Sequence, residues 1–528
     1  MTKSTFSPSI YQQKLFDFVA TGRGSAIVTA VAGAGKTTST VRCLAFIPAH
    51  QEVYLLAFNT DAAEALRVKI VELEKELGRS FSNARAATFH SLCFGAVRKA
   101  LEKRGITNVK PDGKKLRILA ERMFDNRTDD GSPSLYETYG DFIVKLVGLA
   151  RGEGVGVLTP DLPTAWWNLI QHHDLFLDTE GATEERAIEL AQALLRRSNE
   201  EARAGNIDFD DMLYQVLAWR LRIWQRDFVF VDEAQDTNPV RRAIVKLVTK
   251  PGGRMIAVGD RFQAIYGFTG ASHDAIDQLK SAFNAVELYL TVSYRCAKAV
   301  VESAREVVSH IEPFEGAIDG RVEVNFPFRE MVKILGAHDA ILCRQTAPLV
   351  SLAYDLIARG ISCRVLGKDI GSGLVKLIKA TRARGVPNLI EKLDAYRERE
   401  VARFTAKGEE SKAEAIEDRV ACVMTVLNHL PETERTIPAA IAKIEGMFKD
   451  ENGVLTLSTI HKAKGKEWEN VAIYRRDLMP SKWARQEHQV QEERNLDYVA
   501  RTRAKATLMF IAKDEAAAIK AFDEKKAA

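Results

Sequence analysis

Residues 25–38 read SAIVTAVAGAGKTT, an apolar run that passes directly into a glycine-rich turn. Gly33 and Gly35 allow the backbone to curl so that successive N–H groups point at one phosphate, and a helix is expected to begin there. Lys36 is then placed to meet the β- and γ-phosphates of a nucleotide, and Thr37 offers its hydroxyl to Mg²⁺. The usual pattern starts with glycine where this chain has alanine, so a glycine-rich turn that caps a helix is the alternative.

Four further apolar runs have a similar length and lead into polar segments. They are VYLLAF (53–58), DFVFV (227–231), RMIAVG (254–259) and AILCR (340–344). Short runs of this kind, buried on both faces, are typical of strands in a parallel sheet with helices between them. Residues 91–200 and 372–450 instead carry leucine, alanine and charged residues at helical spacing. The sequence therefore predicts an α/β protein with two helical insertions.

The composition indicates a folded, soluble chain. Of its 528 residues, 46% are hydrophobic and 28% are charged, values close to the globular average, and the length predicts three to four compact units. The net charge is only +4, so any surface that binds nucleic acid must be local. The six cysteines are dispersed without a CxxC pair, which argues against a disulfide framework or a zinc site and favours a reducing compartment. With no signal peptide or membrane span in evidence, the expected location is the cytoplasm, or the nucleus in a eukaryote.

Two carboxylates follow the run DFVFV. Asp232 and Glu233 lie where a parallel sheet delivers its loops to a nucleotide. Asp232 is suited to holding Mg²⁺ through a water molecule, and Glu233 to orienting and deprotonating an attacking water. Acidic residues are also common at helix N-termini, but a phosphate loop in the same chain favours nucleotide hydrolysis. After the next apolar run, Gln263 is a neutral donor and acceptor suited to sensing a γ-phosphate.

The order of these motifs resembles that of the superfamily 1 DNA helicases of the UvrD/Rep type. The segments that carry the resemblance are YQQKLF (11–16), LLAFNTDAA (55–63), ATFHS (87–91), DFDDML (208–213), LTVSYRC (290–296), LSTIHKAKGKEWENV (457–471) and EERNLDYVARTRAK (492–505). They run over nearly the whole chain, and their wording is closest to the F-box DNA helicase branch and its phage and bacterial relatives. Lys466 departs from the family pattern, in which this position is apolar.

The resemblance implies a complete ATP site. Gln12, with Gln13 as a near rival, is placed like the residue that reads adenine, and Tyr294 like the ring that stacks on it. Glu467 matches the residue that binds the ribose. Arg295 and Arg503 match the two arginines that reach the γ-phosphate across a cleft between two RecA-like domains. Together with the catalytic acids, the expected ATP and Mg²⁺ contacts also include Gly33, Ala34, Gly35, Lys36, Thr37 and Thr38.

Single-stranded DNA needs a grip that tolerates any sequence, and aromatic faces provide one. For the aromatic candidates, packing in the core is the alternative reading. For the histidines and threonines, which could contact phosphates of the strand, the alternative is a buried hydrogen bond. The candidate DNA contacts are Phe58, Asn59, Thr88, His90, Tyr266, Phe268, Thr459 and His461.

These observations predict two RecA-like P-loop domains, each with a helical insertion. The expected boundaries are 1–90 with 201–283 for the first domain, 91–200 for its insertion, 284–367 with 454–528 for the second domain and 368–453 for its small insertion. The family implies an ATP-dependent translocase and helicase that moves 3′ to 5′ on single-stranded DNA and acts at junctions with duplex DNA in replication, recombination or repair. An ATPase that strips proteins from DNA without productive unwinding is the alternative, and an RNA helicase is a third reading. A protein partner for loading or stimulation, a monomeric or weakly associating state, no membrane contact and weak unwinding by the lone chain are further expectations.

Overall fold

The computed structural model describes residues 6–125, 133–173, 175, 177, 182–265, 275–406, 410–448, 454–482, 484 and 487–527. The chain forms two compact units. The first comprises Met1–Ala30 and Gly35–Leu290, and the second comprises Val31–Ala34 and Thr291–Ala528. Within the described part of the chain, no helix has both the length and the apolar character that crossing a membrane requires.

A six-stranded sheet forms the centre of the first unit. Its strands are β1 (Ala26–Ala30), β2 (Val53–Ala57), β3 (Ala84–Thr88), β4 (Arg226–Val231), β5 (Thr249–Gly259) and β6 (Val286–Leu290). Their order is β3-β2-β4-β5-β1-β6, and every neighbouring pair is parallel. β1 and β2 are buried at every residue, as expected for apolar strands covered on both faces. Because β1, β4 and β5 lie side by side, the loops at their carboxyl ends meet at one edge of the sheet.

Edge strand β6 corrects one sequence boundary. Residue 284 was expected to begin the second domain, yet β6 pairs in parallel with β1, with Val28 aligned on Leu288. The first sheet therefore includes this strand, and the second unit begins at Thr291.

Helices cover the first sheet and build its insertion. They are α1 (Ile10–Thr21), α2 (Lys36–Arg42), α3 (Thr60–Leu77), α4 (Phe89–Glu102), α5 (Lys115–Phe124), α6 (Leu135–Glu153), α7 (Pro163–His172), α8 (Glu184–Arg203), α9 (Asp211–Ala218), α10 (Pro239–Val248) and α11 (Ala275–Phe283). The insertion has its own apolar cluster, which includes Leu116, the fully buried Trp166 and Leu194. α4 differs from the predicted boundary at residue 91, because its buried Phe89 and Val97 belong to the cluster of the sheet.

Buried charges join the insertion to α9. Lys115 Nζ lies 2.6 Å from Asp211 Oδ2, and both side chains are fully buried. Arg151 Nη1 donates to Asp208 at 2.7 Å. Ser198 serves both cations, since its carbonyl accepts from Lys115 and its hydroxyl accepts from Arg151. Removing one partner of such a network leaves an uncompensated buried charge, so these pairs fix how the insertion is attached.

The second unit is built on another six-stranded parallel sheet. The strands of this unit, including two outside that sheet, are β7 (Val292–Ser293), β8 (Glu312–Pro313), β9 (Arg321–Phe326), β10 (Ala340–Cys343), β11 (Cys363–Val365), β12 (Leu455–Thr459), β13 (Trp468–Ile473) and β14 (Ala504–Ile511). The main sheet has the order β11-β12-β10-β13-β14-β9, and β7 pairs with β8 apart from it. Two parallel sheets, each in its own unit with helical additions, confirm the predicted fold class.

The second insertion shares its core with the second sheet. The helices of this unit are α12 (Lys298–Arg305), α13 (Phe328–Ile334), α14 (Ala347–Ala358), α15 (Lys368–Ala380), α16 (Val386–Ala406), α17 (Glu410–His429), α18 (Ile437–Met447), α19 (Ile460–Ala463), α20 (Glu487–Arg501) and α21 (Glu515–Ala527). One apolar cluster contains Ile341 of β10 and Leu349 of α14 together with Leu389, Val423 and Ile444 of the insertion. The insertion and the sheet therefore share one continuous apolar core, to which α14 also belongs.

A carboxylate of the insertion also caps a helix outside it. Asp418 of α17 accepts hydrogen bonds from the backbone N–H groups of Thr346 at 2.9 Å and Ala347 at 2.8 Å, where α14 begins. One turn away, Glu414 accepts from the side chain of Gln345 at 2.8 Å. The same helix thus contributes apolar residues to the shared cluster and polar bonds to the N-terminus of α14.

Candidate nucleotide and DNA sites

The predicted phosphate loop joins β1 to α2. β1 ends at Ala30, and α2 begins at Lys36 with Gly35 as its N-cap. Gly33 and Gly35 have φ angles of 73° and 70°, which side chains strongly disfavour. The first N–H groups of α2 have no carbonyl partner within the helix, so this turn can bind an anion.

Lys36 lies at the start of this helix and is held by an acid from β4. Its Nζ is 2.9 Å from Glu233 Oε2, and the two side chains are 13% and 33% exposed. Burial lowers the pKa of Lys36, but Glu233, Asp260 and Asp232 outweigh it and the net shift is upward. The structure therefore brings the predicted phosphate-binding lysine, the predicted base and the predicted metal ligand together in the first unit.

Two carboxyl groups beside Lys36 have raised pKa values. Burial and the neighbouring Glu233 raise the pKa of Asp232 to about 6. Burial likewise raises the pKa of Asp260 to about 6, with Lys36 and a hydrogen bond from Gln263 opposing the shift. Negative charge is thus crowded and poorly solvated here, an environment that an added cation stabilises.

Hydrogen bonds connect the predicted base to the predicted phosphate sensor. Gln235 Nε2 donates to Glu233, and Gln235 Oε1 accepts from the backbone N–H of Asp260 at 3.0 Å. Asp260 Oδ2 then accepts from Gln263 Nε2 at 2.8 Å. A Cβ atom at Gly259 would lie 2.6 Å from Gln235 Oε1, so this close approach requires glycine. A displacement of Glu233 or of Gln263 can therefore be transmitted to the other residue through these hydrogen-bonded groups.

Gln12, predicted to read adenine, is buried beside α2. Its Oε1 accepts from the backbone N–H of Ser9, which completes a capping box for α1, and its Nε2 donates to Ser39 at 2.9 Å. Its rival Gln13 is exposed and bonds Asp17 on the same helix. Thr38 is half-buried in the first turn of α2. Of the two glutamines, Gln12 is therefore the one whose side-chain amide is held in a fixed position by hydrogen bonds inside the first unit.

In the second unit, the residues assigned to adenine, ribose and γ-phosphate lie near β7, β13 and β14. Tyr294 is 39% exposed and its ring packs against Phe314 at 5.2 Å between centroids. Arg295 Nε lies 2.6 Å from Glu467 Oε2, and Lys505 Nζ lies 2.8 Å from Glu467 Oε1. Burial raises the pKa of Glu467, but Lys505 and Arg295 outweigh it and hold the value below the ordinary range. Glu467 is therefore engaged by two cations.

Arg503, the second predicted arginine, is almost fully buried in its own unit, at 1% exposure. Its Nε donates to the carbonyl of Val499 at 3.0 Å and its Nη1 to the carbonyl of Lys466 at 3.0 Å. These bonds join the end of α20 to the segment before β13. Arg503 thus has a structural role in addition to any role toward a phosphate.

The DNA candidates of the first unit lie where β2 and β3 end. Asn59 and Thr88 are helix N-caps, because their side chains accept from Ala62 N–H at 2.8 Å and from Ser91 N–H at 3.0 Å. Phe58 is half-buried. Burial, with Arg241 nearby, lowers the pKa of His90 to about 4, so its ring is neutral at neutral pH. The predicted histidine contact can therefore offer hydrogen bonds but no charge.

The second unit repeats this pattern at the end of β12. Thr459 caps α19 by accepting from the N–H of Lys462 at 3.4 Å. Burial, with Arg344 and Lys462 nearby, lowers the pKa of His461 to about 3. The remaining two candidates, Tyr266 and Phe268, lie outside the described residues.

Sequence reasoning missed four residues that the structure adds to these sites. Gln235 stands inside the motif DEAQD, and Asp260 directly follows β5, so their positions at strand ends were a usable signal. Lys505 contacts Glu467 from a distant segment. Arg241 contacts the Phe58 ring, again from a distant segment, and nothing in the local sequence marks it.

Comparisons with known proteins identify the family of this chain. A family model described as the UvrD/REP helicase N-terminal domain matches residues 12–284, and one described as the UvrD-like helicase C-terminal domain matches residues 375–515. A probable DNA helicase II homolog of Mycoplasma genitalium is 24% identical over 327 residues, which are 59% of this chain and 44% of that protein. An ATP-dependent DNA helicase PcrA of Leuconostoc citreum is 26% identical over 56% of this chain and 39% of its own. A probable DNA helicase of Mycoplasma pneumoniae is 28% identical, with 54% of each chain covered.

The chain thus spans about half the length of the curated relatives it matches. The N-terminal family model alone covers more than half of the chain, and its range includes the phosphate loop, the acidic pair and Gln263. The protein therefore belongs to the UvrD/Rep helicase family.

Proposed function

We propose that this chain is an ATP- and Mg²⁺-dependent motor that moves 3′ to 5′ on single-stranded DNA and unwinds duplex DNA at junctions. The observation that carries the proposal is the contact of Lys36 with Glu233 at 2.9 Å, at the start of a helix that follows a phosphate loop. A cation for phosphates and a base for water are thereby within reach of one nucleotide. The polarity and the DNA substrate follow from the family resemblance.

The residues present fit a magnesium ion. Thr37 and Asp232 would hold it, and the crowded carboxylates around Asp232 form an environment that favours a hard cation with oxygen ligands. Bound Mg²⁺ supplies neutralisation of the phosphate charge. Glu233 then orients and deprotonates water once Lys36 has turned to the phosphates, because the ion pair otherwise occupies the carboxylate. Gln263, which donates a hydrogen bond to Asp260, would sense the γ-phosphate.

From the second unit, we assign Tyr294 to adenine and Arg295 and Arg503 to the γ-phosphate, as the family resemblance implies. Arg295 is the more available of the two arginines, since its side chain is 21% exposed. Its bond to Glu467 would have to be exchanged for one to phosphate, and Lys505 can keep Glu467 neutralised during that exchange.

A second candidate function is displacement of proteins from DNA with little unwinding. The shared apolar cluster of the second insertion and the second sheet favours it, because an insertion without a separate core is not an independent body that can reorient on a duplex. Both functions need the same ATPase activity and movement along the same single-stranded DNA.

The first test is ATP hydrolysis with and without single-stranded DNA, for the native chain and for Lys36→Ala. We expect DNA to stimulate the native chain and Lys36→Ala to abolish turnover. Unwinding of 3′-tailed and 5′-tailed duplexes then tests the polarity of movement. An RNA competitor tests whether the chain prefers DNA to RNA. Release of a protein bound to single-stranded DNA tests the second function. A native chain whose ATPase ignores single-stranded DNA would refute the motor.

A further inference from the structure

An arginine that the resemblance does not assign lies against the predicted base-stacking ring. Arg241 is the third residue of α10, and its backbone N–H donates to the N-cap residue Asn238 at 2.9 Å. Its guanidinium carbon lies 4.2 Å from the centroid of the Phe58 ring. His90 is near enough that the arginine contributes to its lowered pKa. Three side chains from α10, the end of β2 and the start of α4 therefore form one group.

Among the residues that the structure describes, the guanidinium of Arg241 forms no hydrogen bond and no ion pair, and its Nε is buried without a partner. Burial lowers the pKa of Arg241, and the carboxylates of Asp210 and Asp236 offset this only in part. An arginine stays charged under these conditions, so the first unit holds a desolvated cation with unused donors.

Its neighbours on α10 are different. Arg242 donates to the carbonyl of Thr237 at 2.7 Å and to the side chain of Gln278. Lys246 is exposed to solvent. Neither has the combination found at Arg241, which is a cation fixed on an aromatic ring and lacking an anion.

We propose that Arg241 binds a backbone phosphate of single-stranded DNA and that Phe58 serves as the support on which this arginine lies. The inference rests on the proposed function, because it names a residue that holds the strand. A phosphate supplies both the missing charge and the missing acceptors, whereas a base stacked on the outer face of the guanidinium supplies neither. His90 is neutral at neutral pH, so the charge of this group is that of Arg241.

The test compares Arg241→Gln with Lys246→Gln, which removes the same charge from a solvent-exposed position of the same helix. Affinity for a labelled oligo(dT) and for an abasic oligonucleotide of equal length is measured by fluorescence anisotropy over a range of salt concentrations. We expect Arg241→Gln to weaken both about tenfold, as for a lost hydrogen bond to a charged group, and to reduce the slope of log K against log salt by about 0.7. Lys246→Gln should leave both quantities and the DNA-free ATPase unchanged.

Each other outcome overturns the assignment. Loss of affinity for oligo(dT) alone, with an unchanged salt slope, would make the arginine a stacking surface for bases. An equal effect of the two substitutions would reduce it to general surface charge. Thermal melting of both variants is recorded, and Arg241→Met, which keeps an aliphatic side chain but removes the charge and should show the same losses, replaces Arg241→Gln if the latter melts early. A native chain that binds neither oligonucleotide fails the proposed function, whereas a native chain that binds as tightly as Arg241→Gln fails this inference alone.

Discussion

Glu233→Gln should change ATP affinity and ATP turnover in opposite directions. In the structure the carboxylate of Glu233 holds Lys36 at 2.9 Å, with exposures of 33% and 13%. A phosphate must take this ammonium group away from the acid, so the ion pair opposes nucleotide binding. A pair that is partly open to water is worth about 1 kcal/mol, which corresponds to about fivefold in Kd. The amide releases Lys36 but cannot accept a proton from water, and loss of a general base costs about 10² to 10⁴ in rate.

The assay is Mg–ATP binding by calorimetry beside steady-state turnover at saturating oligo(dT). Glu76→Gln is the matched control, because it removes an acid that pairs with Arg42 at 2.6 Å on the surface of the same unit. We expect tighter binding and almost no turnover for Glu233→Gln and native values for Glu76→Gln. Weaker ATP binding by Glu233→Gln, or turnover near the native rate, would refute the reasoning.

Three further predictions concern titration, the second unit and the insertion. Asp232 and Asp260 have pKa values near 6, well above the ordinary 3.8, so their ionised forms are lost as the pH falls through 6. The Mg²⁺ concentration for half-maximal ATPase should therefore rise between pH 7 and pH 5. A Mg²⁺ requirement that stays constant over this range would contradict the prediction. Arg503→Ala should lower turnover by about 10³-fold, and a variant that melts like the native chain yet hydrolyses ATP normally would exclude the γ-phosphate role. Asp211→Ala leaves Lys115 as an uncompensated buried charge and should lower the free energy of unfolding of the first unit by about 3 to 5 kcal/mol in urea titrations. Much of this loss should be recovered when Lys115→Met and Asp211→Leu are combined. A loss below about 1 kcal/mol would show that water reaches the lysine.

The sequence predicted the parts of these sites that depend on local order along the chain. Asp232 directly follows an apolar strand, Lys36 follows another after the glycine-rich turn, and parallel pairing brings strand ends to one edge of the sheet. Contacts between distant segments were beyond local reasoning, which is why Arg241 on Phe58 and Lys505 on Glu467 were missed.

Boundaries and caps were harder for the same reason. The expected boundary at residue 284 separates β6 from the first sheet, whereas its hydrogen bonds are to β1. Asn59 and Thr88 follow strands and precede helices, so their capping bonds could have been predicted from residue type and position.

The common apolar cluster of the second sheet and its insertion has a consequence for how this unit opens. Val423 on α17 and Ile341 on β10 belong to the same continuous apolar cluster, so opening of one part removes packing from the other. Amide protons on the buried face of α17 should therefore exchange with solvent at the rate of those in β10, as one cooperative block. Excision of residues 368–453 would remove part of the shared apolar cluster and expose Leu349, so a shortened chain without the insertion should aggregate. What looks in the sequence like an accessory segment is a necessary part of the folding unit.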